Sequence, residues 1–142
     1  MKEQNFNNHT RYVPVWHFIV APALLCLLIG AFINLADASD DNLYSASLIC
    51  LISIVLGFIY WYVRAFALKA QDRAIRAEEQ FRHFILTGKP LPQALRLRQI
   101  IALRFASDEE LPALAEKAAK ENMGNKEIKA AIQNWRPDYS RL

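Results

Sequence analysis

The sequence predicts an all-α membrane protein: a two-helix transmembrane hairpin whose second helix extends into the cytosol and packs with a small C-terminal bundle of short helices. Three observations predict it. Apolar residues fill 54% of the 142 positions although 17 basic and 14 acidic side chains are also present, so the two kinds must be segregated along the chain. They are: from Trp16 to Leu35 the one residue among Lys, Arg, Asp, Glu and His is His17, and from Leu43 to Val63 there is none. Each run is close to the ~20 residues that cross a hydrocarbon core about 30 Å thick at about 1.5 Å per residue. Past Trp61, good helix formers continue without Gly or Pro as far as Gly88, so the second span is expected to run on as one helix to about Thr87.

The chain then divides into a polar, Asn-containing cytosolic lead over 1–14, a hairpin over 15–66 and a basic cytosolic helical domain over 67–142. Within the hairpin the spans cover about 16–35 and 43–63, joined by an outer connector over 36–42 that is too short to fold by itself. Charge sets the orientation. The lead carries Lys2, Glu3 and Arg11, whereas the connector carries Asp37, Asp40 and Asp41. From Arg64 to Arg104 there are nine basic and three acidic residues. Lys and Arg accumulate on the cytosolic flanks of short loops, so both termini are expected inside and the acidic connector outside. Tyr12 and Trp16 flank the first span at the end where Tyr60, Trp61 and Tyr62 flank the second, which places most of an aromatic belt at one interface, with Tyr44 at the other.

A cleaved secretory signal is the competing reading, since Ala36-Asp37-Ala38 has the small-x-small form of a cleavage site. The apolar stretch exceeds the 7–15 residues of a signal core, which favours a span. Cys26 and Cys50 both fall inside spans, where a cysteine reads as a small packing residue.

Small residues recur along both spans: Ala23, Cys26, Gly30 and Asn34 in the first, Ala46, Cys50, Ser53 and Gly57 in the second. Such faces let helix backbones approach closely in lipid. Either they seal the hairpin to itself or at least one of them contacts a neighbouring subunit or partner; Gly30, Cys50, Ser53 and Gly57 are the candidate residues for helix packing in the membrane.

On the long helix, Asp72 with Arg76, Glu78 with Arg82 and Glu79 with His83 are spaced for acid-first pairs. Opposite them Ala67, Ala70, Ala74, Ala77, Phe81 and Phe84 step by three and four. The simpler expectation is that this stripe is a seam for the chain's own C-terminal helices; the other is a coiled-coil contact between copies. Gly88, Pro90 and Pro92 then end the helix. A third helix is expected to gather Ala94, Leu97, Ile101 and Phe105 on one face, with Ile100 beside them and Arg96, Arg98 and Arg104 elsewhere, although Leu95–Arg98 alone also fits a strand. Ser107 and Glu110 have capping-box spacing for a fourth helix to about Glu121. Gly124 is expected to end it and Asn125 to cap a fifth, from Lys126 to about Trp135.

The strings Gln4-Asn5-Phe6, Asn8 to Pro14, Phe66 to Lys69, Gln71-Asp72-Arg73, Leu86 to Leu91 and Gln99 to Glu110 resemble those of a family of short, two-span bacterial membrane proteins, a domain of unknown function. The resemblance covers essentially the whole chain. It implies a bacterial inner-membrane location and brings no activity, cofactor or catalytic residue with it.

Chemistry is hard to place on this sequence. His9, His17 and His83 have no partners at metal-ligand spacing, and Gly88-Lys89 lacks the strand and first glycine of a phosphate loop. Serines and cysteines have no evident base, so no enzyme, cofactor or metal is expected. No buried charge marks an ion path through the spans; a pore would require oligomerisation around Asn34, Ser47 and Ser53. Arg64, Lys69, Arg73 and Arg76 are candidates for anionic lipid head groups. Nucleic acid is not expected, because the helix-turn-helix-like Glu109–Trp135 segment is nearly neutral. Two functions from different classes survive: a membrane-anchored interaction or regulatory protein with a partner groove lined by Phe81, Phe84, Leu97 and Trp135, and a small homo-oligomeric assembly packed through the spans, in which Gly30 and Gly57 point outward.

Overall fold

The structure, a computed structural model, describes residues 13–138. Most of the lead expected over 1–14, with Tyr12 of the aromatic belt, lies outside the described residues. Among the described residues the protein is all-helical, with five α-helices and no strand. It divides into two compact units, one ending at Ala67 and the other beginning at Leu68.

The first unit opens with a π-helical turn, Val15–Val20, that leads into α1, Ala21–Ala36. Proline explains the wide turn. Pro22 has no N–H for the Phe18 carbonyl, its α-helical partner, and the ladder switches to a longer step in which Ala21 N–H donates to the Trp16 carbonyl. After a six-residue connector, α2 spans Leu43–Thr87, 45 residues without a break. The segment Val15–Ala36 and the helix α2 are both long and apolar enough to cross a membrane.

The hairpin packs on small residues, though of the eight expected only three take part. On α2, Ala46, Cys50 and Ser53 are buried as the spacing predicts, and the Ser53 hydroxyl is satisfied by the Ile49 carbonyl at 2.8 Å. Gly57, expected with them, is exposed. On α1, Ala23, Cys26, Gly30 and Asn34 are all exposed, so this face does not seal the hairpin to itself, and Ala31 is buried instead. The inward face of α1 is Leu24, Leu28, Ala31 and Leu35, continued by Val20 from the π-helical turn. One helix supplies bulk where the other supplies room, a complementarity that counting small residues on each helix separately does not reveal. At the other end of the hairpin, Trp16 and Tyr60 stack at 4.3 Å, and the Tyr60 hydroxyl donates to the Trp16 carbonyl at 3.2 Å.

In the second unit α2 ends at Gly88, whose φ of 69° suits glycine and whose N–H reaches the Phe84 carbonyl at 2.7 Å. Three short helices follow: α3, Leu97–Leu103; α4, Leu111–Lys120; and α5, Asn125–Ala131. Their core joins Leu91 and Leu95 from the loop to Ile100, Leu103, Leu111, Leu114, Ala115, Ala118, Met123 and Ile128. Gln99 is buried with both ends of its amide used, accepting from Arg96 N–H at 2.7 Å and donating to the Met123 carbonyl at 2.8 Å.

Several details depart from the sequence reading. Ala94 is exposed, Leu97 and Ile101 are half-buried, and Ile100, Ala102, Leu103 and Arg104 are the buried residues. The α-helical period stops at Leu103. Phe105 and Ala106 turn to pair with the extended segment at Trp135 and Arg136, through Arg136 N–H to the Phe105 carbonyl at 2.7 Å. The same pairing shortens α5, which ends at Ala131 rather than near Trp135. The capping box at Ser107 forms on one side only: Glu110 N–H approaches the Ser107 hydroxyl at 3.4 Å, while the Glu110 carboxylate accepts from Gln133 and Asn134. Asn122, with φ 49°, ends α4 in place of Gly124. Gly124 caps α5 with its N–H on Glu127 at 2.6 Å, and Asn125 is the first helical residue rather than the cap.

Candidate functional site

The Leu68–Thr87 stretch of α2 has two opposite faces, and the candidate site is built from them. Ile75, Glu79, Arg82 and His83 look inward, at spacings of four, three and one. The Arg82 guanidinium is the hub. It donates to Glu79 Oε2 at 3.0 Å, to Asp108 Oδ1 at 2.6 Å and to the Ala106 carbonyl at 2.7 Å, tying α2 to the turn before α4. Burial pushes the Glu79 carboxyl above its ordinary pKa of 4.5, and the charge of Arg82 opposes that rise without cancelling it. His83 Nδ1 is 2.9 Å from the Lys89 carbonyl, which fixes the turn behind Gly88. Two of the three expected acid-first pairs are therefore replaced, and the third does not form among the described residues. Glu79 pairs with Arg82 rather than His83, and Arg82 with Glu79 and Asp108 rather than Glu78. No ion pair joins Asp72 to Arg76 among the described residues.

Beside this hub lies a cleft of about 290 Å³ lined by Ile75, Glu78, Glu79, Arg104, Arg136, Pro137 and Asp138. Its charges answer one another, with Arg104 Nε 3.4 Å from Asp138 Oδ2. The Arg104 guanidinium also lies 4.6 Å from the centre of the Phe105 ring, which Trp135 stacks upon from 4.6 Å. Lys129 stands 5.4 Å from the same ring centre. Among the described residues, no nucleophile and base converge in this cleft, and no cluster of three metal-ligating side chains occurs.

The other face of α2 is open. The seam expected for the chain's own helices does not form. Ala70, Ala74, Ala77, Phe81 and Phe84 are exposed, Ala67 is half-buried, and Phe81, Phe84 and Ile85 are 66%, 53% and 66% exposed. The reason is that the partly charged face of Ile75, Glu79, Arg82 and His83 finds specific partners in the short helices and their turns, while alanines and phenylalanines offer none. Of the four residues expected to line one groove, Phe81 and Phe84 sit on this outer face, Leu97 is half-buried on α3, and Trp135 is stacked against Phe105. Lys69, Arg73 and Arg76, all exposed, share one side of α2 at spacings of four and three, with half-buried Arg64 on another side. Asn34 is exposed on α1, Ser47 is bonded to the Tyr44 carbonyl at 2.7 Å, and Cys26 is exposed where Cys50 is buried.

The Arg82 hub is not among the sites expected from the sequence. The one signal in the sequence was that Ile75, Glu79 and Arg82 share a side of the helix at spacings of four and three, which sets a charged pair beside an apolar side chain but does not say which side is buried.

Among the described residues, the fold and this site define an all-helical protein with a hairpin of two long apolar helices and a compact helical unit that leaves an apolar face of α2 exposed. The chain belongs to a family of unknown function, DUF6526, whose model matches residues 1–142. No curated protein and no solved structure matches it.

Proposed function

We propose that this chain is an integral membrane protein of the bacterial inner membrane, non-enzymatic, whose role is to hold an interaction surface just inside the bilayer. Both termini lie in the cytosol in this reading, supported by the basic stretch from Arg64 to Arg104 against the acidic connector. A single observation carries it: the outer face of α2 leaves Ala70, Ala74, Ala77, Phe81 and Phe84 exposed beyond the second span. Phenylalanines exposed together on a helix mark a contact surface. Arg64 and Lys69 serve lipid head groups. Arg73 and Arg76 lie farther out, about 15 and 20 Å past Val63 along the helix at about 1.5 Å per residue, where screening weakens attraction to the bilayer. The test is a photo-crosslinking residue at Phe81 in the full chain in its native membrane. A discrete adduct at Phe81, with none at Lys120 on α4, is expected; no adduct at Phe81 would end this reading.

A second reading, assembly of hairpins through the spans, is favoured by Gly30 and Gly57. Both point outward, and a Cβ placed on either meets nothing within 4 Å. Substituting Gly57→Leu leaves the hairpin intact and, if the spans assemble through that face, changes the mass of the particle extracted from the membrane.

A further inference from the structure

We infer that the exposed face of α2 is the seam of a parallel, in-register coiled coil between two copies of this chain. The inference rests on the membrane-anchored interaction reading above and names the partner. Ala67, Ala74 and Phe81 occupy one heptad position, and Ala70, Ala77 and Phe84 the other, so the open stripe has the 3.5-residue period that two helices wrapped around each other require. Only Ala67 among them is as much as half-buried.

Charge selects the occupant. The residues flanking the seam are Arg73 on one side and Glu78 on the other. In a parallel pair the flanking residue of one helix meets the residue five positions on in its neighbour. Arg73 therefore faces Glu78 of the second copy, and the twofold axis makes that pair twice. Both side chains are exposed, and neither belongs to an ion pair among the described residues. The next such pair is Gln80 with Ile85, which opposes no like charges. In an antiparallel pair the same residues would bring like flanks together. Two copies inserted in one membrane with one orientation have parallel helices already, so the bilayer supplies the alignment that the charges require. The alanines near the membrane allow the backbones to come close, and the phenylalanines close the far end. Arg82 and Glu79 are on the opposite side, so pairing leaves the C-terminal unit undisturbed.

The experiment is disulfide trapping of the full chain in native membranes, in a Cys26→Ser, Cys50→Ala background. Ala77→Cys, on the seam, is expected to give a covalent dimer under mild oxidation, and Arg76→Cys, exposed on another side of the helix, to stay monomeric. Arg73→Glu should weaken the Ala77→Cys dimer roughly tenfold, the effect of turning two exposed attractive pairs into repulsive ones, and Arg73→Glu with Glu78→Arg should restore it. No dimer from Ala77→Cys, equal dimer from Arg76→Cys, or a charge-swapped chain no better than the single variant would overturn the coiled coil. If the dimer fails while the Phe81 photo-adduct forms with another protein, the interaction reading stands and self-association falls. If neither forms, both fall.

Discussion

Replacing Arg82 by alanine tests whether the charged inner face of α2 is the structural hub described above. At an effective dielectric of about 20, two unit charges about 3 Å apart attract by about 5–6 kcal/mol. Desolvation removes much of that gain, and the raised pKa of Glu79 is the sign that burial outweighs the pairing. What Arg82→Ala leaves behind is a carboxylate on a residue only 6% exposed, without its cation. Stranding one partner of a buried pair costs about 3–5 kcal/mol. The bond to Asp108, whose side chain is 65% exposed, adds little. Glu79→Gln in the Arg82→Ala background removes the stranded charge and should recover about half of the loss, leaving about 1.5–3 kcal/mol for the bond to the Ala106 carbonyl. The assay is urea unfolding of the detergent-solubilised full chain, followed by Trp135 emission in a Trp16→Phe, Trp61→Phe background. Because the folded state raises the Glu79 pKa, this group's contribution is fully present below 4.5 and lost as pH rises through the folded value. Arg82→Ala, which removes the main opposing charge, should move that loss to higher pH. A cost under about 1 kcal/mol for Arg82→Ala, or a double variant no more stable than the single, would refute the hub.

Other outcomes follow from the same packing. Phe105→Ala, at a fully buried ring stacked on Trp135, should cost about 3–5 kcal/mol and shift Trp135 emission to longer wavelength. Tyr60→Phe removes the hydroxyl bond to the Trp16 carbonyl but keeps the stack, and should lower hairpin stability by about 0.5–1.5 kcal/mol in steric-trap unfolding. Ala46→Leu, at a position 1% exposed between the helices, should splay the hairpin by overpacking and cost about 1–3 kcal/mol in the same assay. Gly30→Ala, open to the outside, should be neutral or slightly stabilising there.

Much of the architecture was legible in the sequence because it rests on one-dimensional properties. Segregated apolar runs set the two long helices, the lack of breakers carried α2 to Thr87, and Gly88 with its prolines ended it. Small residues at Ala46, Cys50 and Ser53 were likewise placed correctly by spacing alone. The tertiary structure decided which faces meet. Spacing shows that Ala70, Ala74, Ala77, Phe81 and Phe84 share a side of α2, but not that Glu79, Arg82 and His83 on the opposite side would win the contact with the C-terminal helices. That outcome depends on Asp108, Ala106 and Lys89 arriving at hydrogen-bond distance, partners brought from outside the helix itself. Similarly, α1 turns Ala31 rather than Gly30 inward because the fit between two helices depends on both surfaces at once. A sequence states what each surface offers; which surface is used follows only from the competition among all partners within reach.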